Sequence, residues 1–121
     1  MGPTGPSAEF LEMFEWADGN AAQEDRRGYF VTLEGEYIRR ATVQDDYILG
    51  VVSAAQPFAG GAQGCGWAAV GMMGRLVVRD DGSCEPNGYC GPNGQGIATD
   101  YARGYRVMKR IDAENVLICL R

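Results

Sequence analysis

The chain has 121 residues, 45% of them hydrophobic and 22% charged, enough for one domain with a modest core. Its formal charge of -5 repels phosphate, which argues against nucleic acid as a partner, and no apolar run approaches the roughly 20 residues of a membrane span. Histidine is absent, which excludes Ser-His and Cys-His catalysis together with the commonest zinc ligand.

Gly2-Pro3-Thr4 and Gly5-Pro6-Ser7 are two Gly-X-Y triplets. Glycine at every third position suits the crowded axis of a collagen triple helix, and the register fails at Ala8. Residues 1–7 therefore read as a collagen-like stub or linker, and residues 8–121 as a single domain. No basic stretch followed by an apolar block opens the chain, so no secretory signal is expected.

Ser7 is placed to cap a short helix running from Ala8 to about Ala17. Phe10, Leu11 and Phe14 would form its apolar face, while Glu9, Glu12, Glu15 and Asp18 recur every third residue and would stay grouped on one side. From Gly28 the pattern becomes that of strands. Tyr29–Leu33 and Tyr37–Arg40 flank Glu34-Gly35-Glu36 as a hairpin, and Tyr47–Ser53 reads as a buried strand. Ala54 to Gly66 is a Gly/Ala/Gln-rich loop. Strands follow at Ala68–Met72 and Arg75–Arg79, then turns around Asp80-Asp81-Gly82 and from Gly91 to Gly96. Tyr105–Ile111 and Val116–Leu120 close the chain as a terminal hairpin. The predicted fold is mainly β: a small antiparallel barrel or sandwich of six to seven short strands with one short N-terminal helix.

Four cysteines stand at 65, 84, 90 and 119, without the paired C-x2-C spacing of a zinc site. Cys119 lies in an apolar run and is expected in the core, whereas Cys84 and Cys90 flank a turn-rich segment and are expected to be the accessible thiols. Asp80-Asp81-Gly82 offers too few ligands for a cation, and Gly91–Gly96 lacks the Gly-Lys-Ser/Thr ending of a phosphate loop. No cofactor and no metal are expected.

Five blocks in order carry a family resemblance: Ala8–Trp16, Gly28–Leu33, Asp45–Ser53, Val70–Gly82 and Gly104–Arg110. Together they resemble the peptidase G2 domain. That is the intramolecular chaperone and self-cleavage module at the C-terminus of phage neck-appendage and tailspike proteins, with related copies in Bacillus-type proteins that carry repetitive stalks. The resemblance implies a homotrimer that aligns an upstream fibrous stalk, with Phe10, Phe14, Trp16 and Tyr29 as candidate contacts. It implies synthesis in the cytoplasm and a final place on a virion fibre or a cell or spore surface. It also implies self-cleavage just before the domain, which puts the scissile bond at Pro6-Ser7 and the candidate acids at Glu9 and Glu12. One carboxylate would activate the nucleophile while its protonated neighbour serves the leaving amide. Ser7 offers a second route, attack on its own preceding carbonyl to form an ester that water opens.

The chain departs from the family pattern at three places. Glu9 stands where an aspartate is expected, Trp67 is followed by Ala68 instead of an acid, and the segment between Ser53 and Trp67 is short. Proline at position 6 stiffens the approach to the reacting carbonyl. Weak or absent cleavage is the expectation, and the second reading is a permanent trimeric head that never cuts itself and has a receptor of its own.

Overall fold

The computed structural model describes residues 10–53 and 66–121. Among them run nine strands and no helix: β1 (Phe10–Glu15), β2 (Phe30–Glu34), β3 (Tyr37–Arg40), β4 (Gly50–Val52), β5 (Trp67–Arg79), β6 (Tyr89–Pro92), β7 (Ala98–Asp100), β8 (Tyr105–Asp112) and β9 (Asn115–Leu120). Eight of them form one antiparallel path, β3-β2-β4-β5-β9-β8-β6-β7, and β1 joins it through β5. The sheet curls into a half-barrel, as the mainly β, antiparallel reading of the sequence anticipated.

Local chemistry explains the two hairpins. Gly35 takes a φ of +64° in the two-residue turn between Glu34 and Tyr37, a conformation that glycine adopts without steric cost. At the other hairpin, Asp112 accepts hydrogen bonds from the Glu114 amide (2.8 Å) and from Asn115 Nδ2 (3.0 Å), which closes the turn between β8 and β9.

Apolar residues gather in two clusters on opposite faces of β2 and β4. Phe30 and Val51 point into one, with Leu76, Val78, Val107, Val116 and Ile118. Val31 and Val52 point into the other, with Trp16, Ile38, Leu49 and Val70. Strands buried on both faces cannot alternate polar with apolar, which is why Tyr47–Val52 reads as an apolar run.

β5 is one 13-residue strand where the sequence suggested two. The register with β1 slips at Met72, since Leu11 pairs with Gly71 and Phe10 with Met73, and this bulge changes which side chains face inward. Up to that point the even-numbered residues Ala68, Val70 and Met72 face the second cluster. Downstream, the even-numbered Leu76 and Val78 face the first. A single strand thereby serves both cores. The first half of β5 pairs with β1 and β4, and the second half with β9.

The predicted helix over Ala8–Ala17 is corrected, since the described part of that span forms β1 and the bridge residue Trp16. An isolated helix of about ten residues is marginal in water, whereas β5 offers a full ladder of backbone partners. Phe14 and Trp16, two residues apart, then reach the second cluster from one face of the strand. Further differences are smaller. The strand predicted over Tyr47–Ser53 shortens to Gly50–Val52, β6 forms across residues read as turns, and β7 forms where no element was predicted.

Candidate functional site

Of the sequence-predicted site, Pro6, Ser7 and Glu9 lie outside the described residues. Glu12 sits in the middle of β1, exposed, directly opposite Val70. The argument that paired it with Glu9 assumed a helix, and Glu12 stands on a strand.

The predicted grouping of the four acids is likewise corrected where it is described. Glu15 lies opposite Trp67, on the other face of β1 from Glu12. Asp18 is the counter-ion of Arg26, with paired contacts of 3.0 Å at each oxygen. The Arg26 hydrogen bonds hold its carboxyl below the usual range, and the guanidinium also stacks 4.6 Å over the Trp16 ring. Asp18 is a structural anion, not a second acid for Glu12.

The ladder does show which position is Glu12's neighbour. Glu12 faces Val70 and Phe14 faces Ala68, so residue 68 is the cross-strand diagonal of Glu12 on the same face. Such diagonal Cβ atoms lie about 7 Å apart, within reach of two carboxylate side chains. Position 68 is where the family resemblance led to an acid being expected, and this chain carries alanine there.

A second polar centre was read from the sequence only as a turn. The Asp80 side chain is fully buried and grips Arg110 in a bidentate pair, with Nη1 at 3.0 Å and Nη2 at 2.7 Å. Arg110 also donates to the Cys84 carbonyl oxygen at 2.8 Å, and Asp80 accepts from the Gly82 amide at 3.0 Å. Burial pushes the Asp80 carboxyl upward, but Arg110 and the amides of Gly82 and Cys84 together hold it below the ordinary value. Asp80, Asp81 and Cys84 bring three donor atoms within 4.8 Å of one another. Both Asp80 oxygens are nevertheless taken by the guanidinium, so the cation at this place is Arg110 itself. The sequence signal was an acid and an arginine on neighbouring hairpins, which only the sheet brings together.

The cysteine expectations are reversed. Cys84 and Cys90 are buried in the first cluster at 2% and 0% exposure, while Cys119 is half-buried on β9. Cys65 lies outside the described residues. Burial raises the Cys84 thiol to about 11 and pushes Cys90 up further in the same direction. Because the thiolate is the reactive form, Cys119 is expected to label before Cys84 and Cys90 in the native protein, with those two reacting only after unfolding. Alkylation followed by peptide mass spectrometry checks this, and equal native rates at Cys84 and Cys119 would refute it.

The fold is one already seen in a solved bacteriophage protein. The chain superimposes with a TM-score of 0.77 on the C-terminal fragment of bacteriophage phi29 gene product 12, at 20% identity, over 93% of this chain and 100% of that one. It also matches the pre-mature form of the same gene product, with a TM-score of 0.74 and 18% identity, covering 93% of this chain but only 21% of that longer one. No curated protein gives a significant sequence match. The family model of the IMC autoproteolytic cleavage domain, Peptidase_G2, matches residues 3–68, more than half the chain. The chain belongs to that family.

Proposed function

We propose that this chain is the C-terminal intramolecular chaperone of a fibrous protein, holding three copies together while an upstream stalk folds. The observation that carries the reading is the extent of the family match. It begins at Pro3, inside the Gly-X-Y triplets, and continues through β1 to the start of β5. A collagen-like segment works only with three chains side by side, so a module contiguous with one has reason to be trimeric. Light scattering of the purified protein should give three times the 13.1 kDa chain mass, and a monomer at micromolar concentration would end the proposal.

Self-cleavage at Pro6-Ser7 is proposed to be slow or absent in this chain. Glu12 has Ala68 as its diagonal neighbour where a second carboxylate would sit, and two close carboxylates are what splits their pKa values into an acid and a base. Ala68→Asp, in a chain extended upstream of Met1, is expected to speed release of a fragment beginning at Ser7 by at least tenfold. Adding Glu12→Gln should abolish the gain. Intact mass measured over several days reads both, and rapid cleavage of the unaltered chain would show that Ala68 does not matter. The same departures favour the second reading, a permanent trimeric head, for which the unaltered chain would stay intact.

A further inference from the structure

Two thiols stand side by side in the first cluster, and neither the chaperone reading nor the cleavage reading gives them a task. Cys84 follows the Asp80-Asp81-Gly82 turn and Cys90 lies in β6, both buried among the same apolar side chains. Their side chains are in hydrogen-bonding contact with each other. Only Glu85-Pro86-Asn87-Gly88-Tyr89 separates them, and the chain doubles back there. Gly88 donates its amide to the Glu85 carbonyl at 2.9 Å, and Asn87 takes a φ of +70°. Both ends of this turn are held. The Cys84 carbonyl accepts from Arg110 at 2.8 Å, and its amide donates to Asp80 at 3.4 Å. Cys90 pairs with Asp100 of β7 on one side and with Tyr105 of β8 on the other. Its carbonyl also lies so close to Gly104 that a Cβ there would collide with it. The backbone thus delivers the two sulfurs to one place, and coupling them asks for side-chain rotation, not for strands to move.

We propose that Cys84 and Cys90 are a disulfide-forming pair, a covalent staple at the end of the β5–β6 connection that an oxidising medium closes. The oxidant is a small-molecule disulfide of the glutathione class. The thiolate of one cysteine attacks it, expelling one small thiol and leaving a mixed disulfide on the chain. The second cysteine then attacks the chain's own sulfur in that mixed disulfide and expels the other small thiol. The chain loses two protons and two electrons and gains an S–S bond. The reagent loses its S–S bond and leaves as two thiols. Burial, and then the Asp80 carboxylate, disfavour the thiolate of Cys84, while burial and the neighbouring Cys84 do the same to Cys90. The closed cluster therefore keeps both thiols inert. The bond is made while the chain folds, or when this segment unfolds locally. Once made it is sealed in the same way, and dissolved reductant reaches it only through the same opening. Its place gives it an effect, because it ties the residue held by Arg110 to a strand that pairs on both sides.

The test leaves only this pair in the full chain, through Cys65→Ser with Cys119→Ser. Unfolded under reductant and refolded in a buffer of oxidised and reduced glutathione, this protein should lose the mass of two hydrogens. It should then offer no thiol to iodoacetamide in denaturant. Its melting temperature should stand roughly 8 °C above that of the reduced form, the effect of closing a loop of about seven residues. Adding Cys84→Ser should abolish both the mass change and the oxidant-dependent shift. Two thiols that stay free after refolding in that buffer would overturn the proposal. A bond that forms but leaves the melting temperature unchanged or lower would reject the staple. Should the double variant fail to fold, the oxidised parent is cut after Tyr89 with chymotrypsin and mapped without reduction. Cys84 linked to Cys90 then supports the pair, and linkage of either to Cys65 or Cys119 rejects it.

Discussion

Asp80→Ala is expected to cost the domain about 3 kcal/mol and to lower its melting temperature by roughly 10 °C. The substitution removes the acceptor of the Gly82 and Cys84 amides and both contacts to Arg110 in one step. The Cys84 amide would be left buried without that partner, and a lost partner costs more than a formed bond contributes. The pair links the end of β5 to β8, so its loss loosens two strands that are 30 residues apart in sequence. Arg110→Met makes the complementary test through pH. In the native protein the Asp80 carboxyl lies below its unfolded value, so the unfolded chain binds the extra proton as pH falls. The stabilisation is complete above the unfolded value of 3.8 and is lost as pH drops through the folded one. Without Arg110, burial dominates and raises the carboxyl, which should move the acid limb of the stability curve to higher pH. Thermal unfolding between pH 2 and 7 reads both variants. An Asp80→Ala protein that melts within 2 °C or so of the parent would show that the pair is incidental.

Gly50→Val is expected to prevent folding altogether, a loss in the exceptional class above about 4 kcal/mol. A Cβ at residue 50 would run into the Gly71 carbonyl oxygen and press on Val70 Cγ1 at 3.0 Å. The obstacle is backbone in the middle of the β4–β5 ladder, so relief means breaking the pairing that joins the two halves of the sheet. Gly94→Ala is the control. That residue has open space around it, and its substitution should stay within about 0.5 kcal/mol. Soluble yield and the far-ultraviolet spectrum separate the two outcomes, and a folded Gly50→Val protein would contradict the close approach.

What sequence alone shows of the site is uneven, for reasons that particular residues make plain. The resemblance was carried by ordered blocks, and the family match agrees with it. Glu12 was identified as a candidate, but the neighbour proposed for it depended on a helix. In the strand that forms instead, the position diagonal to Glu12 belongs to a segment more than 50 residues away. No local spacing points to it. Asp80 was read as a turn residue because Asp-Asp-Gly is turn chemistry, and its partner Arg110 lies on a later hairpin.

The elements that sequence by itself determined are those whose cause is local. Tyr37–Arg40 must return along β2 because Gly35 supplies the turn, and Val116–Leu120 must be a buried strand because its apolar run is too short for anything else. Phe10–Trp16 had no such local cause. Phe10, Leu11 and Phe14 suit a helix, Phe14 and Trp16 suit a strand, and the preference for either over seven residues is a few tenths of a kcal/mol per residue. The tertiary structure decided, because β5 presents unpaired backbone groups that only a strand can satisfy. The same long-range pairing decided the phase change within β5 and the burial of Cys84 and Cys90. Each depends on what lies across the sheet, and chain spacing carries no information about that.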